Sequence, residues 1–413
     1  MVRRDIDRMR RRRFMNTMVG LGVSIEAMNY LSKDIAAKII EDPEKEVPRL
    51  SKLKHKNPER YSEPPLPDHP PEIEPEFYTI SRDRWAVVET SHLAARKIRN
   101  RLYRRFDCES WEMSVGVKEM NEGQHTTLGV LVKHIKSIEK KDDDNNKTGN
   151  KVKTEEIRDY LPSSISAHVK KEQVEAKRSD IPIAVEQDQL SESEYFNYKY
   201  RPIPGGCKLS DKSTFSNEVG SSCTPAWDSD RGKYVLLTAG HLPDNSNDNL
   251  QQPKYWGYTK QNQIGNCDKR IKQGKFDVAT IDSTKDLIYW TAQNIEDEYN
   301  IPIRGIVGID EIKDNADNSN YELRLQGRTS GITRGEINFV ETTDPTNISH
   351  ECHRIWGTMD SAGGDSGGPH YKVENESNGL GAYIAGVHAW EGGNGDAVST
   401  AIQGIQKEFN LTV

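Results

Sequence analysis

Between Gly364 and Pro369 the chain reads Gly-Asp-Ser-Gly-Gly-Pro, and three glycines around one serine constrain the local fold more than any other stretch. Glycine takes left-handed dihedrals that are closed to other residues, so the backbone can turn sharply and present the serine hydroxyl beside two N–H groups. A nucleophile with an oxyanion hole needs that geometry. Alone, the string is a glycine-rich turn. It has company: Tyr234-Val235-Leu236-Leu237 is an apolar strand running into Thr238-Ala239-Gly240-His241, which places a histidine at a strand end. Phe276-Asp277-Val278-Ala279-Thr280-Ile281 then sets Asp277 at the edge of another β run, with Asp268 and Asp282 as the competing acids nearby.

The order His, Asp, Ser with these surrounding residues resembles a chymotrypsin-like (trypsin-family) serine protease over residues 205 to 413. Gly327-Arg328-Thr329-Ser330-Gly331 is similar to the Gly-x-Thr-Thr-Gly segment of the bacterial streptogrisin and α-lytic branch. Gly386-Val387-His388-Ala389-Trp390 resembles the substrate-binding strand that follows the serine. The resemblance implies an all-β fold of two antiparallel barrels with the active site between them. In that frame His241 is the base, Asp277 its orienting acid and Ser366 the nucleophile, and the N–H groups of Gly364 and Ser366 form the oxyanion hole. Asp365 is carried over as a structural residue whose partner is open, with Arg324, Arg328 and Arg334 as candidates. Asp360, six residues before the serine, and Ser361 occupy specificity-pocket positions that imply cleavage after Lys or Arg, with Trp390 and Glu391 also contacting substrate. Glu391 stands where many members have glycine, and Leu242 replaces the half-cystine beside the histidine. The rival reading is a catalytically inactive protease-fold protein that binds peptides or partners in its cleft.

No run of about 18 apolar residues occurs in the 413, which argues against a multi-pass membrane protein. Of 57 basic and 64 acidic residues, 19 and 29 lie from Gly206 onward, which is −10 there and +3 before it. No global basic field points to nucleic acid, and the sign difference favours docking of the two parts. The five cysteines lack the two-residue spacing of a zinc site, so neither metal nor cofactor is expected. Four of them, Cys207, Cys223, Cys267 and Cys352, fall in the protease-like part and suit either two disulfides or four buried thiols.

The first 30 residues carry Arg3, Arg4, Arg8 and Arg10 to Arg13, then Phe14-Met15 and a short apolar stretch, the pattern of a twin-arginine export signal in a prokaryote. Residues 31–75, charged and proline-rich, read as a linker. Residues 76–190 read as a small α+β domain. A β-like run lies at Trp85 and Val87, and helical spacing follows over Ala95, Ile98, Leu102 and Phe106. A hairpin joins Trp111–Val117 to Leu128–Val132, a solvated loop covers 137–153, a short helix starts at Thr154, and a strand covers Ile181–Val185. That order suggests a ferredoxin-like sandwich. By resemblance this domain is a pro-region of a secreted precursor, joined through a linker at 191–205 to a protease domain at 206–413. A helix bearing Ile402, Ile405 and Phe409 closes the chain.

Overall fold

The computed structural model describes residues 14–16, 18, 23–40, 42, 45–106, 113–122, 125–135, 154–171, 174–188, 200–211, 219–243, 245–252, 262–273, 276–291, 301–342, 352–377, 379–391 and 396–413. The arginine run before Phe14, the 137–153 loop, Cys108 and most of the 191–205 linker lie outside these residues. No described helix is long and apolar enough to cross a membrane.

Residues 31–75 are not a linker. After two short helices, α1 (Ile25–Met28) and α2 (Lys33–Ile39), the chain forms strands β1 (Glu46–His55) and β2 (Ile73–Ser81), which pair antiparallel. The physical reason is charge pairing across the fold, which composition alone cannot show. Arg49 is fully buried in β1, and its guanidinium holds Asp314 through two 2.9 Å hydrogen bonds and Glu89 through one of 3.1 Å. Lys52, also buried, pairs with Glu374. Phe14, Met18 and Val23 are likewise buried, in the same core cluster as Leu50, Val235 and Phe276.

Ser81 then caps helix α3 (Arg82–Arg105), its hydroxyl accepting from Arg84 N at 3.1 Å. The expected β run at Trp85 and Val87 is therefore the first turns of this helix. Strands β3 (Met113–Glu122) and β4 (His125–Ile135) form the expected hairpin, followed by α4 (Thr154–Tyr160), β5 (Ser164–Lys171) and β6 (Val174–Asp188). Val88, Ala95, Ile98 and Leu102 of α3 pack on Val115, Val130 and Val132 of this sheet. The strand order is β3-β4-β6-β5, with β4 and β6 parallel, while β2 sits with β1 at the far end of the sheet. That departs from a ferredoxin-like sandwich, in which the first strand would lie inside the small sheet. The layer is not a detached unit, because β3 continues the sheet of the protease-like part.

In that part, β7 (Ile203–Gly205), β8 (Lys208–Asp211), β9 (Val219–Ser221), β10 (Pro225–Asp228), β11 (Lys233–Thr238), β12 (Asn249–Gln251), β13 (Gln263–Gln273), β14 (Phe276–Ser283) and β15 (Leu287–Thr291) follow in turn. Seven of these, all but the parallel pair β7 and β15, curl into an open half-barrel in the order β10-β11-β14-β13-β12-β8-β9. Next come β16 (Ile303–Val307), helix α5 (Ile309–Asp314), β17 (Glu322–Gly327), β18 (Gly331–Thr342), β19 (His353–Asp360), β20 (Pro369–Glu376), β21 (Gly379–Glu391) and β22 (Asp396–Ala401). Strands β21-β20-β17-β18-β19-β22 pair in a ring that closes back on β21, giving a six-stranded antiparallel barrel. β16 adds parallel to β21, β1 pairs antiparallel with β16, and β3 pairs with β18. The predicted terminal helix is α6 (Ile402–Phe409), with Ile402, Ile405 and Phe409 buried, and β23 (Leu411–Thr412) then joins β10 of the half-barrel. The chain thus has the expected two-barrel build, one barrel closed and one open.

Among the described residues there is no disulfide. Cys207, Cys223, Cys267 and Cys352 are all buried as thiols, Cys207 in the half-barrel core and Cys223 in the central cluster, so the four serve as small apolar core residues. Burial pushes the Cys207 thiol up to about 12, against a hydrogen bond from Ser222 that lowers it.

Candidate active site

β11 ends at Thr238, and the turn that follows carries His241, about 30% exposed, to the mouth of the half-barrel. β14, paired with β11 through Leu236 and Ile281, brings Asp277 underneath it. Asp277 is about 1% exposed, and its Oδ2 meets His241 Nδ1 at 2.5 Å. A carboxylate there fixes the imidazole so that Nε2 faces outward and would stabilise an imidazolium. Neither Asp268 nor Asp282 competes, because both pair with Arg231. Asp277 Oδ1 has no hydrogen-bond partner among the described residues.

The serine loop comes from the closed barrel, between β19 and β20. Gly364 and Gly367 have φ of +103° and +94°, so the glycines meet the conformational demand read from the sequence. A Cβ on Gly367 would lie 2.1 Å from Ser221 O and 2.3 Å from Thr238 Oγ1. The residue after Ser366 therefore presses against the end of the histidine-bearing strand, and only glycine permits this approach. Ser221 links the barrels further, donating from its N–H to Ser366 O at 2.6 Å and accepting from Thr238 Oγ1 at 2.8 Å on its carbonyl. Ser366 Oγ makes no hydrogen bond among the described residues.

Within the loop the N–H groups of Asp365, Gly367 and Gly368 donate to Ala362 O, His388 O and Asp365 O. Those of Gly364 and Ser366 make no hydrogen bond among the described residues. These two unpaired donors flank Asp365, whose own N–H is held within the loop, and they are the N–H groups available to an anion beside the serine. Asp365, fully buried, takes no arginine partner. Its Oδ1 accepts from Thr329 N at 2.6 Å and Ser330 N at 3.0 Å, and its Oδ2 from Ala362 N at 3.0 Å. The three arginine candidates are thereby replaced by backbone donors, two from the turn between β17 and β18 and one from the serine loop itself, which a sequence reading based on side-chain charge does not reveal.

Asp360 lies exposed at the end of β19, opposite Asp396 of β22, and Glu391 ends β21 opposite Ala397. Ser361 is buried and directs its hydroxyl to Asp396 O at 3.5 Å. Trp390 is half-buried beneath the Arg354 guanidinium, 3.9 Å from the ring centroid. Asp360, Glu391 and Asp396 thus gather at one end of the closed barrel. Sequence reasoning missed a pair behind this site: His370 and His388 are buried and stacked at 5.2 Å, with Nε2 of the first 3.0 Å from Nδ1 of the second. Burial pushes His388 down to about 3, with His241 lowering it further and Asp277 opposing, and burial holds His370 well below the ordinary range. Burial thus disfavours the charged form of both rings. Among the described residues no cluster of three or more His, Cys, Asp or Glu side chains is arranged to hold a metal ion.

No family model and no curated protein matches the chain. Solved structures similar to it include a Nocardiopsis protease (16% identity, 51% of this chain and 97% of that one, TM-score 0.37). A glutamic-acid-specific serine protease that uses a histidine triad in substrate binding is similar at 18% identity, covering 51% and 100%, with a TM-score of 0.37. Cellulomonas bogoriensis chymotrypsin is similar at 15%, covering 51% and 97%, with a TM-score of 0.35. At these levels the roles of individual residues rest on the site itself.

Proposed function

We propose that the chain is a serine endopeptidase. Ser366 Oγ attacks the peptide carbonyl while His241 takes its proton. The tetrahedral oxyanion is held by the N–H groups of Gly364 and Ser366. His241 then returns the proton to the departing amine, leaving an acyl-enzyme that water hydrolyses by the same relay. Asp277 keeps the imidazole in the tautomer this needs. One observation carries the reading: a buried carboxylate holds His241 at 2.5 Å, and the loop whose unpaired N–H groups are those of Gly364 and Ser366 packs through Gly367 against Thr238, three residues before that histidine.

The grouping of Asp360, Glu391 and Asp396 supports a preference for Lys or Arg before the cleaved bond, through charge attraction at the pocket end. The placement of β1 and β3 in the closed-barrel sheet supports a further departure from the precursor expectation, namely that the region from Glu46 onward works as a retained part of the enzyme. The arginine run with Phe14-Met15 and the short apolar stretch after it supports export by the twin-arginine route.

The experiment is mass-spectrometric mapping of a fluorophosphonate probe on the folded full chain, with Ser366→Ala and His241→Ala as controls. Adduct on Ser366 that both substitutions abolish supports the enzyme. A folded chain that takes no adduct leaves the inactive binding scaffold as the better reading. A peptide library cleaved without preference for Lys or Arg would refute the specificity proposal alone.

A further inference from the structure

An oxyanion hole works only if its donors are aimed before the reaction, and here one donor belongs to the peptide joining two glycines, Gly363 and Gly364. Such a peptide is the least constrained in any chain, since neither flanking residue has a Cβ to limit rotation. Its aim has to come from outside the loop. Thr329 Oγ1 supplies it, donating to Gly363 O at 2.7 Å. A trans peptide holds its C=O and N–H on opposite sides of one rigid plane, so pinning the Gly363 carbonyl toward Thr329 turns the Gly364 N–H the other way. That N–H is one of the two left unpaired in the loop.

Resting on the hydrolase reading above, we infer that Thr329 is a positioning residue for the oxyanion hole, acting through the Gly363–Gly364 peptide. Four features fit it for that task. Thr329 is about 1% exposed, and its own N–H is fixed on Asp365 Oδ1 at 2.6 Å, so the hydroxyl has a firm base. Arg328 Nε donates to Thr329 Oγ1 at 3.2 Å, which fills an acceptor position and leaves the hydroxyl proton for Gly363. A donor chain from a guanidinium through a hydroxyl to an amide polarises each member, so the terminal N–H becomes a better donor. The next peptide is held in the same manner, Ser221 Oγ donating to Gly364 O at 3.1 Å while accepting from Arg328 N at 3.0 Å. Gly364 itself must be glycine, since a Cβ there would lie 2.5 Å from Arg328 Nε and 2.6 Å from Thr329 Oγ1.

Thr329→Val keeps the shape and removes the donor, and Thr329→Ser keeps the donor. The readouts are the second-order rate of fluorophosphonate labelling at Ser366, kcat and KM on an activated ester, and the thermal midpoint. Loss of an oxyanion donor costs about 100- to 1000-fold, so misaiming one is expected to slow labelling and kcat by roughly 30- to 300-fold in the valine variant, with KM unchanged. The serine variant should stay within about 5-fold of wild type, a rescue that lost packing would not give. Gly363 is exposed, so its carbonyl can turn to water and the valine variant should fold. Should it not, Thr329→Ala carries the same comparison. Wild-type labelling matched within about 3-fold by the valine variant, or a serine variant as slow as valine, overturns the role of Thr329 and leaves the hydrolase reading intact. Wild type that fails to label overturns both.

Discussion

Replacing Arg49 with Met tests whether the N-terminal strand is an integral part of the fold. The guanidinium is fully buried and faces Asp314, Glu89 and Asp310, the last at 3.6 Å. Methionine matches the length of the stem and leaves these three carboxylates without that cation. Removing one partner of a buried ion pair costs about 3 to 5 kcal/mol, because the remaining charge stays desolvated. At about 2 °C per kcal/mol for a chain of this size, the thermal midpoint should fall by roughly 6 to 10 °C. The loss should depend on pH. Burial already raises the Asp314 carboxyl against the opposing pull of Arg49, and without Arg49 it rises further. A carboxyl whose folded pKa lies above its unfolded value stabilises the fold below the unfolded pKa and loses that contribution as pH climbs toward the folded one. The Arg49→Met deficit should therefore be smaller at pH 5 than at pH 7.5, read by calorimetry on the full chain. A variant within about 1 kcal/mol of wild type at both values would refute the reasoning, and with it the claim that β1 is held by this cluster.

Three further outcomes are expected. His388, pushed down to about 3 by burial, refuses a proton that the unfolded chain takes up near 6.5, so its contribution is present above 6.5 and lost as pH falls toward 3. Thermal midpoints of His388→Gln measured from pH 7 to pH 4 should accordingly decline less steeply than those of wild type. Gly367→Ala places a Cβ 2.1 Å from Ser221 O at a φ of +94°, so labelling of Ser366 should drop by at least about 100-fold; near-normal labelling would show that the loop is looser than described. Cys207 and Cys223 should resist iodoacetamide at pH 8 in the folded chain and react after denaturation, since burial raises both thiols. Fast native alkylation would contradict their burial.

The site was legible wherever a short segment carries its own conformational demand. Gly364 and Gly367 announce positive φ, the apolar run Tyr234–Leu237 announces a strand, and the histidine after it stands at that strand's end in the structure. The Asp277 assignment followed from its β context, and β14 does place it under His241. The terminal helix was equally plain, because Ile402, Ile405 and Phe409 share one face.

What stayed hidden depends on partners far away along the chain. Glu46–His55 looks like solvated linker because a buried Arg49 and Lys52 make sense only beside Asp314 and Glu374, more than 250 residues on. Trp85 lies in the first turn of a helix because Ser81 caps it, although a few apolar residues in a row suit a strand equally well. Asp365 finds backbone N–H groups instead of an arginine, and a backbone donor has no letter in a sequence. Cysteine number could not decide between thiols and disulfides, since only the packed core shows that the four described cysteines are buried as free thiols. The sequence by itself determined the backbone preference and strand pattern of the segments that carry Ser366, His241 and Asp277; the tertiary structure decided how these segments face one another, because that is set by contacts that close only when both barrels pack together.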